Sequence, residues 1–343
     1  MLASLRSLLP FLLGLLMGAI SPPSASAQEH SAVITRIADV RDLPRPLAAQ
    51  ELPVRLRAKV TYDNPTIFGS LIIQDATAGI FVALRHFTDN DLVADIPEEL
   101  AAMQVGTEIE IEGVTGAGDY APIIRALRVR AVGVAPLPEP VRLTVPEMRT
   151  GRFDCQRVVV SGVPQTATRN VQSNQIDFDM ETELGSLVFH LESDPNLDIS
   201  SLVDADVTIE GVCLMYFNRR NEQVGTHVQV GTINHVTIHR PPPPDPFGVP
   251  LMEFNRLLPF SAEPRVLQRR RISGTVTFIE PENFLMLQNG DRAVRVNLLD
   301  HDQKPAVQIG DLVEASGFVE VREFYAELSN ARVRKSGAGQ TIV

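Results

Sequence analysis

The chain has 343 residues, a formal charge of −11, 25 prolines, two cysteines and no tryptophan. Its length exceeds a single small core and fits two or three domains, and its ordinary apolar content excludes wholesale disorder. The acidic sum disfavours the basic surface that non-specific nucleic-acid binding needs to displace phosphate counterions, and is silent on neutral ligands and protein partners.

Residues 1–27 read as an address. Arg6 precedes an apolar run at 8–20 that Pro10 and Gly14 interrupt, and Ala25-Ser26-Ala27 is an A-x-A cleavage signal. The run is shorter than the ~20 residues that span a bilayer. The expectation is a signal peptide cleaved after Ala27 and a periplasmic or secreted mature chain, with an uncleaved N-terminal anchor as the alternative. No later segment is apolar enough to predict a transmembrane helix.

Residues 28–50 form a lead-in. Ile34, Ile37, Val40 and Leu43 recur every three residues, which predicts a short helix, and Pro44 and Pro46 end it. A first repeat occupies 51–135. Val54, Leu56, Ala58 and Val60 alternate with Arg55, Arg57, Lys59 and Thr61, as in a half-buried strand. Strands at 70–74 and 80–84 form a hairpin. A connection at 85–104 holds a predicted helix at 98–103, and strands follow at 105–114 and 122–132.

The order recurs at 141–240. A helix at 143–151 leads into strands at 157–163, 174–180, 185–191 and 205–215 and a long closing segment at 224–239. The polyproline run Pro241–Pro244 opens a linker at 241–250. The third repeat, 251–343, begins with a short helix at 251–258. Its predicted strands lie at 270–278, 284–288, 293–298, 312–320 and 325–334.

The clearest repeated stretch is VGTEIEIEGV at 105–114, VDADVTIEGV at 203–212 and IGDLVEASGF at 309–318. It places Gly113, Gly211 and Gly317 at matching points of the fourth strands, and Ala58, Gly162 and Gly274 match in the first. Glycine inside a strand marks a bulge or a tight barrel corner. Two such points per repeat predict an all-β chain with short connecting helices: three tandem OB-fold-like, five-stranded barrels. Any other small antiparallel barrel or sandwich is the alternative.

Cys155 lies just before the first strand of repeat two and Cys213 at the end of its fourth. Those ends coincide in an antiparallel pair, so a disulfide is expected, worth ~4 kcal/mol on the chain-entropy model. Two buried thiols are the alternative.

The run LPVRLRAKVTY, SLIIQDATAGIFVAL, VGTEIEIEGVTGAGDYAPII and the bridging LPEPVRLTVPEMRTGRFDCQRVVVSGV resemble the tandem OB-like periplasmic sensor region of bacterial sensor histidine kinases and related signalling receptors. The match covers most of residues 32–240. It implies ligand or partner binding on the sensing side of a membrane. The sequence departs from those receptors in showing no membrane helix and no kinase, cyclase or methyl-accepting segment; the expectation is either a free-standing periplasmic relative, with any signalling output supplied by another chain, or a fragment of a longer receptor.

Candidate binding residues are placed by the fold. An OB barrel binds on the face of its second and third strands, flanked by the loops after strands one and four. These loops hold Tyr62, Phe68 and Tyr120 in repeat one, Tyr216, Phe217, Arg219 and Arg220 in repeat two, and Phe324 and Tyr325 in repeat three. The alternative for the repeat-one rings is that they plug the barrel mouth or pack on the next repeat, and for the repeat-two stretch that it is a solvated hairpin tip. The triplet Arg269–Arg271 reads as a solvated edge, and His190, His227, His235 and His239 as structural or exposed. Neither a catalytic motif nor ligand spacing for a metal is present, and no cofactor is expected.

The resulting expectation is a non-enzymatic exported ligand-binding or signalling-partner protein. Its partners would be a small molecule, a glycan or a membrane signalling protein, with nucleic acid disfavoured. An oligosaccharide- or oligonucleotide-binding envelope protein and a structural spacer are the alternatives.

Overall fold

The structure is a computed structural model that describes residues 32–64, 70–84, 103–220, 222–257, 267–280, 283–299, 306–323 and 325–338. The predicted signal peptide and most of the predicted 98–103 helix lie outside them. No helix among the described residues is long and apolar enough to cross a membrane.

Three barrels of the same topology follow one another. The first joins β1 (Pro53–Asn64), β2 (Ser70–Gln74), β3 (Gly79–Ala83), β4 (Thr107–Gly116) and β5 (Ile123–Val134). They close in the order β1-β2-β3-β5-β4, with β3 and β5 parallel. A short β6 (Val141–Arg142) then precedes the second barrel of β7 (Arg157–Asn170), β8 (Gln175–Thr182), β9 (Gly185–Glu192), β10 (Asp206–Phe217) and β11 (Gln223–Val230). It closes through the β7–β10 pair, and β6 and β12 (Val236–Arg240) extend it beside β7 and β10. The third is a closed barrel of β13 (Arg270–Glu280), β14 (Phe284–Asn289), β15 (Arg292–Leu298), β16 (Asp311–Val321) and β17 (Ala326–Ala338). The 224–239 segment expected as one closing stretch is two strands, because a 3-10 turn at Ile233–His235 redirects β12 onto the start of β10.

The matched small residues sit at matched points of the ladder. Ala58 faces Ile109, Gly162 faces Val207 and Gly274 faces Val313. Each first strand then bulges two residues later, at Val60/Tyr62, Pro164/Thr166 and Val276/Phe278. The bulge lets one strand serve both halves of a small barrel. Gly113, Gly211 and Gly317 face Val54, Val158 and Arg270. A Cβ at any of them would overlap a fifth-strand carbonyl oxygen, that of Arg125, Gln229 or Ser329.

Each lead-in closes one barrel mouth. Ile34 bridges to Val54, β6 to β7 and Leu251 to Arg271, all in parallel. Helices α1 (Ile37–Arg41) and α3 (Val145–Met148) follow the first two; α2 (Arg45–Ala48) lies between α1 and β1. Ile37 and Val40 join the first core, Val145 and Met148 the second, Phe254 and Leu257 the third. Thr144 and Glu147 cap α3 reciprocally, a capping box. In the third repeat the expected helix is a 3-10 turn, Phe254–Arg256, whose three-residue repeat puts Phe254 and Leu257 on one side.

The expected disulfide is corrected. Cys155 and Cys213 are both buried free thiols. The backbones do meet, with Cys155 N–H donating to the Cys213 carbonyl at 2.7 Å. The register differs by one residue from the one a bridge needs, since Cys213 N–H bonds Gln156 and not Cys155. Cys213 therefore points into the second core, while Cys155 packs outside it among Tyr62, Ile72 and Val212. A one-residue change of register moves a side chain to the opposite face.

Candidate ligand face of the second barrel

The outer face of the second barrel gathers four chemically active side chains from four strands. Asp177 lies on β8 directly opposite His190 on β9. The next strand across, β11, presents His227 beside Val188 and Gln229 beside His190. Tyr216, on β10, faces Gly225 of β11. A side-chain-free partner leaves room for the tyrosine ring to fold across the ladder onto His227.

The geometry is a relay. His190 Nδ1 is 2.7 Å from Asp177 Oδ1, and His190 Nε2 is 2.6 Å from the Tyr216 hydroxyl. A neutral imidazole meets both partners by donating from Nδ1–H to the carboxylate and accepting the phenol proton at Nε2. Asn170, at the end of β7, donates to Asp177 Oδ2 at 3.2 Å and fixes the carboxylate from its other side. The Tyr216 and His227 rings stack at 4.2 Å with planes 26° apart. His227 Nδ1 is buried without a hydrogen-bond partner among the described residues. Burial, then the neighbouring His190, pushes His227 down to about 3, so it is neutral at ordinary pH. Burial and the Asp177 carboxylate push the Tyr216 phenol up.

Beyond Tyr216 the chain turns at a hairpin tip that Asn218 builds. Its side-chain oxygen accepts from Arg220 N–H at 2.8 Å and Glu222 N–H at 3.1 Å, and its amide donates to Glu222 Oε2 at 2.8 Å. Glu222 is thereby engaged. Arg219 and Arg220 stand exposed, and among the described residues neither pairs with a carboxylate.

The remaining candidates are scattered. Tyr62 is buried where the first two barrels meet, in a cluster with Ile72, Cys155 and Val212. Tyr120 stacks on Phe217 at 5.8 Å and donates to Gln223 Oε1 at 3.0 Å, so both rings serve packing between repeats. Phe217 still leaves 44% of its surface exposed. Tyr325 is half exposed at the β16–β17 turn, where Arg322 is paired with Glu320 and Glu327. Phe68 and Phe324 lie outside the described residues. The Arg269–Arg271 reading needs correction at Arg269, which is buried between the second and third barrels. His239 Nε2 bonds Thr208 at 2.8 Å, far along β12 from the relay.

The sequence points to Tyr216 and its arginines and does not mark Asp177, His190 and His227 as functional groups. One signal was present. Counting back from the two-residue turn at Glu183 and Leu184 sets Asp177 opposite His190. The Tyr216 partnership had no such signal, because β10 and β9 are not neighbours; β11 lies between them.

No family model matches the chain, and no curated protein matches it. Solved structures do. A murine DNA-binding protein bound with double-stranded DNA is 11% identical, with a TM-score of 0.27, over 55% of this chain and 99% of that one. The Ifi202 HINa domain in complex with a 20-bp duplex is 10% identical, TM-score 0.27, over 55% and 96%. An aspartyl-tRNA synthetase from Entamoeba histolytica is 8% identical, TM-score 0.24, over 32% and 23%. The chain thus spans about a quarter of that synthetase. These likenesses concern fold alone, and the strand order is that of OB-type five-stranded barrels. They overturn one expectation. Nucleic acid was set aside on net charge, yet the similar solved structures include two on duplex DNA. A whole-chain sum does not describe a local surface, and among the described residues no carboxylate pairs with Arg219 or Arg220.

Proposed function

We propose that the protein is an exported OB-type binder of single-stranded nucleic acid, with its ligand on the outer face of the second barrel. One observation carries the reading. The Tyr216 ring lies on the buried His227, is pinned through its hydroxyl by His190, and still exposes 41% of its surface, on the strand that leads into the hairpin of Arg219 and Arg220, which pair with no carboxylate among the described residues. A backed, immobilised ring is a stacking platform, and stacking accepts any base because every base has a π-face. The exposed guanidinium groups of the hairpin that follows it suit backbone phosphates. The face lies where OB barrels take oligonucleotides. An exported location is supported by the leader-like segment at residues 1–27.

Fluorescence anisotropy of labelled DNA and RNA strands of about 12 nucleotides tests this, the span of roughly one to three OB sites. Affinity should fall as salt rises. Replacing Arg219 and Arg220 together by Ala should flatten the log–log salt slope by about 1.4, two contacts at about 0.7 each for single strands. Tyr216→Ala should weaken binding by about 1–3 kcal/mol at all salts. Absence of binding at low salt, or affinity indifferent to these substitutions, would overturn the reading, and a preference for duplex would redirect it.

A further inference from the structure

The Asp177–His190–Tyr216 chain exceeds what a stacking platform requires. A ring backed by His227 is already held in plane. The additional elements are a base at 2.6 Å from the phenol, a carboxylate at 2.7 Å behind that base, and an amide from Asn170 at 3.2 Å behind the carboxylate. A hydroxyl, an imidazole and an orienting acid in hydrogen-bond sequence form the arrangement by which an otherwise weak oxygen nucleophile is activated. Resting on the nucleic-acid reading above, we propose that Tyr216 is a nucleophile that cleaves a bound phosphodiester through a covalent phosphotyrosyl intermediate.

The step balances within the groups present. The Tyr216 oxygen attacks phosphorus while its proton passes to His190 Nε2. The Tyr216 O–P bond forms, and the P–O bond to one nucleoside breaks. The departing alkoxide takes the proton from His190, which regenerates the neutral imidazole. Attack by a hydroxyl of the released strand reverses the step, and attack by water, deprotonated by His190, completes hydrolysis and restores the phenol.

The surroundings fit that chemistry. Because burial and Asp177 hold the phenol up, Tyr216 is not ionised beforehand and its proton must leave during attack, which requires a base in contact. Asp177 is suited to stabilise the imidazolium formed in that step, and the groups around His190 compete little for it. His227 sits 4.9 Å away, ring centre to ring centre, and is kept neutral by burial. The charge developing on the non-bridging phosphate oxygens has Arg219 and Arg220 at the adjacent hairpin tip. Asp177 and Asn170 touch no reacting atom and act as positioning residues through His190.

Covalent trapping tests the proposal. The full-length mature chain is incubated with single-stranded oligonucleotides carrying one bridging phosphorothiolate, in which sulfur replaces the leaving oxygen. Both the 5′- and 3′-bridging forms are used, each labelled on the phosphoryl side, because a thiolate leaves readily and does not reverse the step. Label should remain on the denatured protein in gels, and mass spectrometry should place it on Tyr216. Tyr216→Phe keeps the ring on His227 but loses its hydroxyl anchor on His190, so it is assayed at strand concentrations raised until it is saturated, where it should form no adduct. His190→Gln should slow adduct formation by about 10²–10⁴-fold. Asp177→Asn should slow it too and move its pH profile, which a merely structural carboxylate would not do. Wild-type binding without an adduct, or an adduct that survives Tyr216→Phe, overturns the nucleophile while leaving the binding reading intact. Loss of both binding and adduct overturns the ligand class and the nucleophile together.

Discussion

The two junctions between barrels solve the same problem with opposite chemistry. Between the first and second, Tyr62, Ile72, Cys155 and Val212 are buried together with Phe81 and Leu214 around them. Polar groups there are few. Arg157 N–H donates to Gln74 at 2.9 Å, and Arg41 pairs with Asp154 at 3.1 Å. Between the second and third, a single buried guanidinium dominates. Arg269 donates to the carbonyls of Ser316 and Asn330 at 3.0 and 2.8 Å and lies 4.4 Å over the Phe318 ring. Its backbone N–H meets Asp204 at 2.9 Å, and the two side chains approach to 3.8 Å. Burial pushes Asp204 up and Arg269 down to about 10. Both shifts favour the neutral forms, so desolvation of each outweighs their mutual attraction. The first junction is mainly apolar, with the Arg41–Asp154 pair beside it, and degrades gradually; the second rests on one buried guanidinium, which fixes orientation and fails when it is lost.

The largest expected effect follows from that asymmetry. Arg269→Ala should cost about 3–5 kcal/mol, because it strands the Asp204 carboxylate and two buried carbonyls. Chemical denaturation should show the third barrel melting apart from the other two. Arg269→Lys should recover little of this, since an ammonium cannot reproduce the planar fork. A single cooperative transition at wild-type midpoint in Arg269→Ala would remove the ionic junction from the account.

The apolar junction has its own point of failure. Gly79, the first residue of β3, lies so close to Cys155 that a Cβ there would overlap the cysteine carbonyl oxygen. Gly79→Ala should cost about 1–3 kcal/mol by wedging the barrels apart. A neutral outcome in thermal unfolding would mean that the two surfaces slide freely.

Barrel architecture was legible because it is written in local pattern. The alternation of Val54 to Val60 and the recurrence of Gly113, Gly211 and Gly317 both follow from backbone geometry, which repeats with the sequence. The junctions were not legible for the same reason. Arg269 heads a basic triplet, and nothing local separates the arginine that will be buried from the two that follow. Asp204, its partner, sits 65 residues away in a loop that only closure of the second barrel brings near. The candidate site divides along the same line. The hairpin tip with Tyr216, Arg219 and Arg220 was visible as composition, whereas the relay behind it needs three strands assembled in register.

The smallest effect is the most specific, and it uses the misplaced disulfide. Cys155 belongs to the apolar junction and Cys213 to the core of the second barrel, so the two thiols report different openings. Burial raises both, Cys213 to about 12, which keeps either from reacting as a thiolate while covered. Under native conditions alkylation of both should be slow. Cys155 should label first, through separation of the first two barrels, and Cys213 only with unfolding of its barrel. Gly79→Ala should speed Cys155 alone, and Arg269→Ala should speed neither, since the ionic junction lies on the other side of the second barrel. Cys155→Ala should itself lower stability by no more than about 1 kcal/mol, the loss of one small apolar contact. Equal labelling rates for the two cysteines in all three proteins would show that the barrels open only together, and the contrast between the junctions would then have no consequence for motion.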